Sequence, residues 1–345
     1  MRFGARRQFY SQMAKPLVAV TMGDPAGVGP EVVLKALARP AVGRACRPVV
    51  FGDLGVLART QKKIHSRVPL SAWEPGLPWP TGVPVRSLSA LSPAQASPGV
   101  PSRACGAAVY RYVTEAARAA LAGSVDAIAT APLNKKVLHM AGHRYPGHTE
   151  LLTEIAGVPE SRMMLLGGRL KVVLVTVHLP LMRVARALTR KKIASTVELT
   201  DRALRRYFAC PRPRIAVAAL NPHAGEEEIF GREETKIILP AVKDAKRRGV
   251  AAFGPFPADS LFYMAARGDY DAVVCMFHDQ GLIPLKLLHF IGGVALTLGL
   301  PFVRTSVDHG TAYDIAGKNR ADATSMTEAI LLAARLARAT KRRRR

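Results

Sequence analysis

The strongest constraint in this sequence is a rhythm. Short apolar, β-branched runs alternate with amphipathic stretches of helical period along most of the 345 residues, and polar motifs recur directly after the runs. That alternation marks an α/β chain built on a largely parallel sheet, whose strands are buried on both faces and joined by helices. Strands are expected at Leu17–Thr21, Pro48–Gly52, Ala127–Thr130, Lys171–Val177, Arg214–Ala218, Ala272–Met276, Val294–Thr297 and Pro301–Arg304. Helices are expected at Pro30–Ala38, Cys105–Ala122, Thr189–Phe208, Thr235–Arg248, Leu261–Ala266 and Thr327–Ala339. The Pro- and Ser-rich stretch Trp73–Pro101 reads as a long surface excursion with one or two short strands. No internal repeat is present. No apolar run reaches the roughly 18 to 20 residues that a membrane span requires.

Charge is the one extreme of composition. Fifty Lys and Arg stand against 25 Asp and Glu, a formal net charge of +25. Taken alone this invites a nucleic-acid partner, yet no zinc-finger spacing or aromatic RNA-binding motif accompanies it. Arg2, Arg6, Arg7 and Lys15, with the run Lys341–Arg345, supply nine of those charges and leave about +16 on the body. The Arg-rich, acid-free start resembles a transit peptide. The plainer reading takes Met13 as the start, because Met13-Ala-Lys-Pro16 leads straight into the first strand. Basic clusters at Arg190–Lys192, Arg202–Arg214 and Lys243–Arg248 fall on helical patterns and read as solvated faces. Cys46, Cys105, Cys210 and Cys275 are far apart with no Cys-x-x-Cys pair. Such usage argues against a disulfide framework or a cysteine zinc site, and it fits a reducing, cytoplasmic setting.

Four segments carry chemistry. Thr21-Met-Gly-Asp-Pro-Ala-Gly-Val-Gly-Pro-Glu31 runs from a strand through a Gly-rich turn into a helix with proline in its first turn. It is neither the GxGxxG fingerprint nor a Walker A loop. It reads either as a tight connection or as a backbone cradle for an anion at a helix N-terminus. Second, His178, His223 and His278 each follow an apolar run. Any one of them alone is best read as a packed histidine. Three in equivalent places point to a catalytic divalent metal held with an open position, with Asp279 and Glu226 as outer partners of the imidazoles. Third, Ala131-Pro-Leu-Asn-Lys-Lys136 followed by Tyr145-Pro-Gly-His-Thr-Glu150 offers a helix cap, an imidazole and free backbone amides. Fourth, Leu298–Lys318 contains Arg304, which reads either as a solvated strand end or as a bidentate grip for a carboxylate or phosphate. Lys286 is a second cation nearby in the chain.

These blocks, in this order, resemble the 4-hydroxythreonine-4-phosphate dehydrogenase (PdxA) family of pyridoxal phosphate biosynthesis. The likeness runs from about Pro16 to Ile330 through MGDPAGVGPE, ATAPLNK, PGHTE, NPHAGE, GPFPADSLF, FHDQGLIPLK and TLGLPFVRTSVDHGTAYDIAGK. It implies an isocitrate/isopropylmalate-dehydrogenase-like α/β fold with two domains around a central cleft. The first domain is expected at 15–143 with 300–339 and the second at 144–299, between a disordered extension at 1–14 and a basic tail at 340–345. The implied function is metal- and NAD(P)-dependent oxidation of 4-phosphooxy-L-threonine to 2-amino-3-oxo-4-phosphooxybutanoate. That product decarboxylates to 3-amino-2-oxopropyl phosphate, on the way to pyridoxine 5′-phosphate.

By resemblance His178, His223 and His278 ligate one divalent cation (zinc, magnesium or cobalt), with the site completed across a homodimer interface. His148, Thr149, Lys286 and Arg304 match substrate-contacting positions. His309, Gly310, Thr311 and Asp314 fall in a stretch like the cofactor loop of β-hydroxyacid dehydrogenases, for NAD or NADP. Lys286, Asp259 and a metal-bound water are candidates for the base. The partners implied are a second copy of the chain and a phosphorylated small molecule, with no membrane and no specific nucleic acid. One position departs: the family has Asn where this chain has Ala295, which cannot make the amide's hydrogen bonds. That departure keeps a sister activity open, on a four-carbon sugar-acid phosphate or an aromatic cis-dihydrodiol.

Overall fold

The computed structural model describes residues 15–343. Twelve strands occur among them: β1 Leu17–Thr21, β2 Arg47–Gly52, β3 Leu70–Ala72, β4 Val83–Ser87, β5 Ala127–Thr130, β6 Arg162–Gly167, β7 Leu170–Leu174, β8 Ile215–Ala218, β9 Ala252–Phe256, β10 Ala272–Cys275, β11 Val294–Leu298 and β12 Val303–Val307. The α-helices are α1 Gly29–Leu37, α2 Pro40–Ala45, α3 Leu54–Lys63, α4 Arg103–Leu121, α5 Lys135–Met140, α6 His148–Ile155, α7 Leu181–Ala187, α8 Arg190–Phe208, α9 Leu239–Arg247, α10 Ala258–Arg267, α11 His278–Leu288 and α12 Thr324–Arg343. Two compact units emerge. One comprises 15–148, 302–305 and 309–338, and the other 149–301, 306–308 and the described end of the chain. The α/β class expected from the alternating pattern is what the chain adopts.

In the first unit the strand order is β3-β4-β2-β1-β5-β12. The contacts of β1 with β2 and β5, and of β4 with β2 and β3, are all parallel. Val18–Val20 and Ala127–Ala129 are wholly buried, which is why these strands read as unbroken apolar runs. Helix α4 begins where Ser102 accepts a hydrogen bond from the Cys105 amide at 3.1 Å, satisfying one of the amides that a helix start leaves open.

In the second unit the order is β11-β6-β7-β10-β8-β9. The core strands β7, β10 and β8 are parallel neighbours, with Val273 opposite both Val172 and Ala216. A β6–β7 hairpin adds antiparallel pairing, and β11 runs antiparallel to β6. Leu165, Val172, Leu174, Val273, Leu282 and Leu285 pack into one core cluster, each fully buried large side chain contributing about 1.5–3 kcal/mol. Helix α8 is capped by Thr189, whose hydroxyl accepts the Lys192 amide at 3.2 Å. It buries Ile193, Val197, Thr200 and Leu204 at helical spacing and ends at Ala209 in the left-handed region.

Several expectations need correction. The motif at Phe277–Lys286 is helical from His278, although Pro284 lies inside the helix. The segment Arg162–Gly167, assigned no element from sequence, is a paired strand. The stretch 340–345, expected to be a tail, is helical through Arg343. The basic clusters are solvated, as expected, and also form surface ion pairs. Arg190 donates twice to Asp244 at 2.5 Å, Arg248 bonds Glu198, and Arg205 bonds Asp201 at 2.7 Å. Arg190 and Arg247, both hydrogen-bonded to Asp244, hold its carboxyl well below the usual range. The expectations for residues 1–14 lie outside the described residues.

Candidate active site

Open α/β sheets place ligands beyond the carboxyl ends of their strands, and the polar motifs of both units sit there. In the first unit the turn after β1 holds Asp24, fully buried. Its carboxylate accepts the Tyr313 hydroxyl at 2.5 Å and the Ala26 amide at 2.9 Å. Burial pushes the Asp24 carboxyl up, and burial together with Asp24 pushes the Tyr313 phenol up. The Val28 amide donates to the Thr311 carbonyl at 2.9 Å. At Gly27 a side chain is excluded, since a Cβ there would lie 2.9 Å from that same carbonyl oxygen. Gly27 therefore serves close packing against Thr311, whereas a Cβ at Gly23 would run into the Pro132 carbonyl and one at Gly29 into the Met22 carbonyl. Of the expected cofactor residues, Thr311 is buried in this clasp while His309, Gly310 and Asp314 are exposed. The His309 ring lies 3.0 Å from the Gly310 carbonyl.

Arg304, on β12, is 3% exposed and donates to Thr130 Oγ1 at 2.7 Å. A buried guanidinium next to a hydroxyl has the chemistry to bind a phosphate or carboxylate. His148 opens α6; its Nε2 is shut off from solvent and has no hydrogen-bond partner among the described residues. Burial, reinforced by the positive charge of Arg304, pushes its pKa well below 6.5, so the ring is neutral at pH 7. A buried imidazole nitrogen without a partner costs about 1–3 kcal/mol, a penalty that a bound ligand would relieve.

In the second unit His178 follows β7, His278 opens α11 after β10, and His223 follows β8. Because β10 lies between β7 and β8, the topology brings all three to one sheet edge. The His178 and His278 rings lie 5.9 Å apart between centroids, a spacing that suits two imidazoles sharing one cation. Asp279 Oδ1 sits 2.7 Å from His278 Nδ1, which leaves Nε2 as the ligating nitrogen in the carboxylate–histidine–metal pattern. The donor set therefore fits a divalent cation. His223 is not drawn into that pair: its ring stands 6.2 Å from Phe230, and no group of three ligating side chains is closed among the described residues.

The backbone around His223 is unusual. His223, Ala224, Glu226, Glu227 and Glu228 all have positive φ, as does Gly225 between them, and each non-glycine residue there costs about 1–2 kcal/mol. Glu226, expected as the outer partner of His223, is exposed and offers His223 only a backbone contact, its amide donating to the His223 carbonyl at 3.2 Å. The carboxylate that does hold the segment is Glu234, which sequence reasoning missed. Lys286 Nζ lies 3.5 Å from Asp308 Oδ2. Asp259 is exposed in the first turn of α10 and accepts the Ser260 amide at 2.8 Å. The Thr149 carbonyl accepts the Thr153 hydroxyl at 2.6 Å. Ala295, where an amide was expected, is 5% exposed and packs into the apolar cluster.

The family model for the pyridoxal phosphate biosynthetic protein PdxA matches residues 44–333. The chain belongs to the PdxA family. It is 52% identical over 328 residues to a 4-hydroxythreonine-4-phosphate dehydrogenase of Geobacter metallireducens, covering 94% of this chain and 96% of that one. It is 45% identical to a D-threonate 4-phosphate dehydrogenase of Salmonella typhimurium, over 94% of this chain and all of that one. Among solved structures, a 4-hydroxythreonine-4-phosphate dehydrogenase from Klebsiella pneumoniae matches with a TM-score of 0.85 at 45% identity. That match covers 93% of this chain and 99% of the other. Among the described residues of this PdxA-family chain, no helix is long and apolar enough to cross a membrane.

Proposed function

We propose that the chain oxidises 4-phosphooxy-L-threonine to 2-amino-3-oxo-4-phosphooxybutanoate, which loses carbon dioxide to give 3-amino-2-oxopropyl phosphate for pyridoxine 5′-phosphate biosynthesis. The observation that carries this reading is the 52% identity, over nearly the full length of both chains, to a dehydrogenase named for that substrate. The paired imidazoles of His178 and His278 support it from the side of chemistry.

His178, His278 and His223 would hold a divalent cation, zinc, magnesium or cobalt. Such an ion would lower the pKa of the alcohol and polarise the ketone, and NAD or NADP, which the 309–314 segment would hold, would supply the hydride acceptor. The protein's own part is positioning and proton traffic. Arg304, braced by Thr130, meets an anionic group of the substrate. Neutral His148 offers its partnerless Nε2 as a hydrogen-bonding group. Lys286 exchanges its Asp308 partner for a substrate oxygen, and Lys286 or Asp259 takes the hydroxyl proton.

A homodimer belongs to this reading. The segments that follow His178 and His278 in the chain carry exposed apolar side chains: Leu181, Met182, Ile283, Leu287, Phe290 and Ile291, with Met182 at 89% and Leu287 at 84%. Apolar surface gathered beside a site is the mark of a partner interface, here a second copy of the chain, working in the cytoplasm.

A second reading, oxidation of D-threonate 4-phosphate, is favoured by the 45% identical relative of that name and by the apolar setting of Ala295. The deciding experiment presents both substrates to chelator-stripped protein with NAD or NADP, then restores each metal. Nicotinamide reduction with 4-phosphooxy-L-threonine only after metal is restored is the expected result. Reduction with D-threonate 4-phosphate alone would move the assignment to the sister activity.

A further inference from the structure

The turn after β8 is unusual in two ways at once. Six consecutive residues, 223 to 228, have positive φ, running from 40° at Glu226 to 84° at Gly225. Beneath them lies a carboxylate that is 3% exposed, Glu234, at the start of a π-helical segment, Glu234–Ile238, leading into α9. Every contact of that carboxylate goes to the root of the turn. Oε1 accepts the Leu220 and Asn221 amides at 2.8 Å each, and Oε2 accepts Asn221 Nδ2 at 2.9 Å. Glu233 Oε2 takes the same Asn221 amide nitrogen at 2.8 Å. The turn is pressed onto this clasp: a Cβ at Gly225 would lie 2.9 Å from Glu234 Oε2. The Phe230 amide closes the far side by donating to the Gly225 carbonyl at 3.1 Å.

A segment in the left-handed region reverts to ordinary conformations unless its surroundings over-determine it. Charge-assisted hydrogen bonds from a buried carboxylate are among the stronger restraints available. We propose that Glu234 is a positioning residue which, through Leu220 and Asn221, holds the His223 turn in its strained form. The clasp thereby fixes the backbone from which the His223 imidazole projects before any cation arrives. This rests on the reading of His223 as a metal ligand. The role is structural toward the cation and touches no substrate.

The test uses the full chain stripped of metal and titrated with cobalt(II), whose visible absorption reports the number and type of ligands. Wild type, Glu234→Ala and Glu234→Gln are compared. Removing an outer support of a metal ligand lowers affinity about 10- to 100-fold, so that loss is expected for Glu234→Ala, with an altered cobalt spectrum. Glutamine keeps an acceptor for the two backbone amides, so Glu234→Gln should stay within about threefold of wild type. A second readout needs no metal: cleavage of the stripped protein by a glutamate-specific protease after Glu226, Glu227 or Glu228 should speed up in Glu234→Ala. If Glu234→Ala loses its fold, Asn221→Ala, which spares both backbone arms, replaces it and should show the same two changes at smaller size. Unchanged cobalt affinity together with unchanged cleavage would overturn the proposal. Wild-type protein that binds no cobalt, or binds it equally well as His178→Ala, would overturn the metal reading instead, leaving the cleavage result to judge the clasp.

Discussion

The two turns that follow β1 and β8 make an informative contrast. The first, around Asp24, is buried, closed by Tyr313 and the Thr311 carbonyl, and complete within its own unit. The second, around His223, is exposed, left-handed, and holds its imidazole apart from the His178–His278 pair. A turn that is finished by its own chain makes the first unit a fixed wall, and one that is strained and open would make the second, on the proposed function, a socket for an ion. On the proposed function, anion and cofactor binding would fall to the first unit and metal binding to the second.

Breaking the socket should cost most. His278→Ala is expected to lower kcat/KM by more than the roughly 100-fold ceiling of an outer-shell change, with the far-ultraviolet circular dichroism unchanged. Full activity in that variant would dissolve the contrast. Next comes the wall. Arg304→Ala removes charge-assisted bonds of about 1.5–3 kcal/mol each, so KM for the phosphorylated substrate should rise roughly 10- to 100-fold. An equal loss in kcat with KM untouched would place Arg304 elsewhere in the cycle.

The wall also has a pH signature. The His148 pKa lies below 6.5 in the folded chain, so acid protonates the unfolded state preferentially, and stability must fall as pH drops through and below 6.5. The slope is at most about 1.4 kcal/mol per pH unit for one such group. Urea denaturation midpoints at pH 7.5 and 5.5 measure it, and His148→Gln should flatten the difference by that contribution. The smallest effect is expected for Arg190→Ala: the exposed Arg190–Asp244 pair is screened by water and salt. Turnover should be unchanged, with a shift in melting temperature below those of the other variants.

Much of this was readable before any coordinates. The runs at Leu17, Ala127, Ile215 and Ala272 are buried on both faces, and such strands announce themselves as continuous apolar stretches. Helix α8 has a cap, a period and a stop. By contrast, α11 carries Gly281 and Pro284 and has a weak apolar stripe, so its motif hid its helix. Strand β6 has no apolar alternation and is defined by its antiparallel pairing with β7 and β11. The three histidines could be named because each follows an apolar run, but their spacing in space depends on strand order, which no local pattern encodes. Glu234 shows the same limit. Glu226, three residues past His223, drew the eye, whereas the carboxylate that acts lies eleven residues on and is recognisable only by what it touches. Tyr313 and Asp24 are 289 positions apart, beyond any reading of neighbours.

The central claim is that an ion held by His178, His223 and His278 enables a nicotinamide-linked oxidation of a phosphorylated hydroxy amino acid. Its most direct test is reduction of NAD or NADP by 4-phosphooxy-L-threonine, followed with carbon dioxide release in chelator-stripped protein before and after zinc, magnesium or cobalt is restored. Both signals should be absent without metal, return together in the wild type, and stay absent in His223→Ala. Reduction that proceeds in stripped protein, or in His223→Ala at the wild-type rate, would contradict the account.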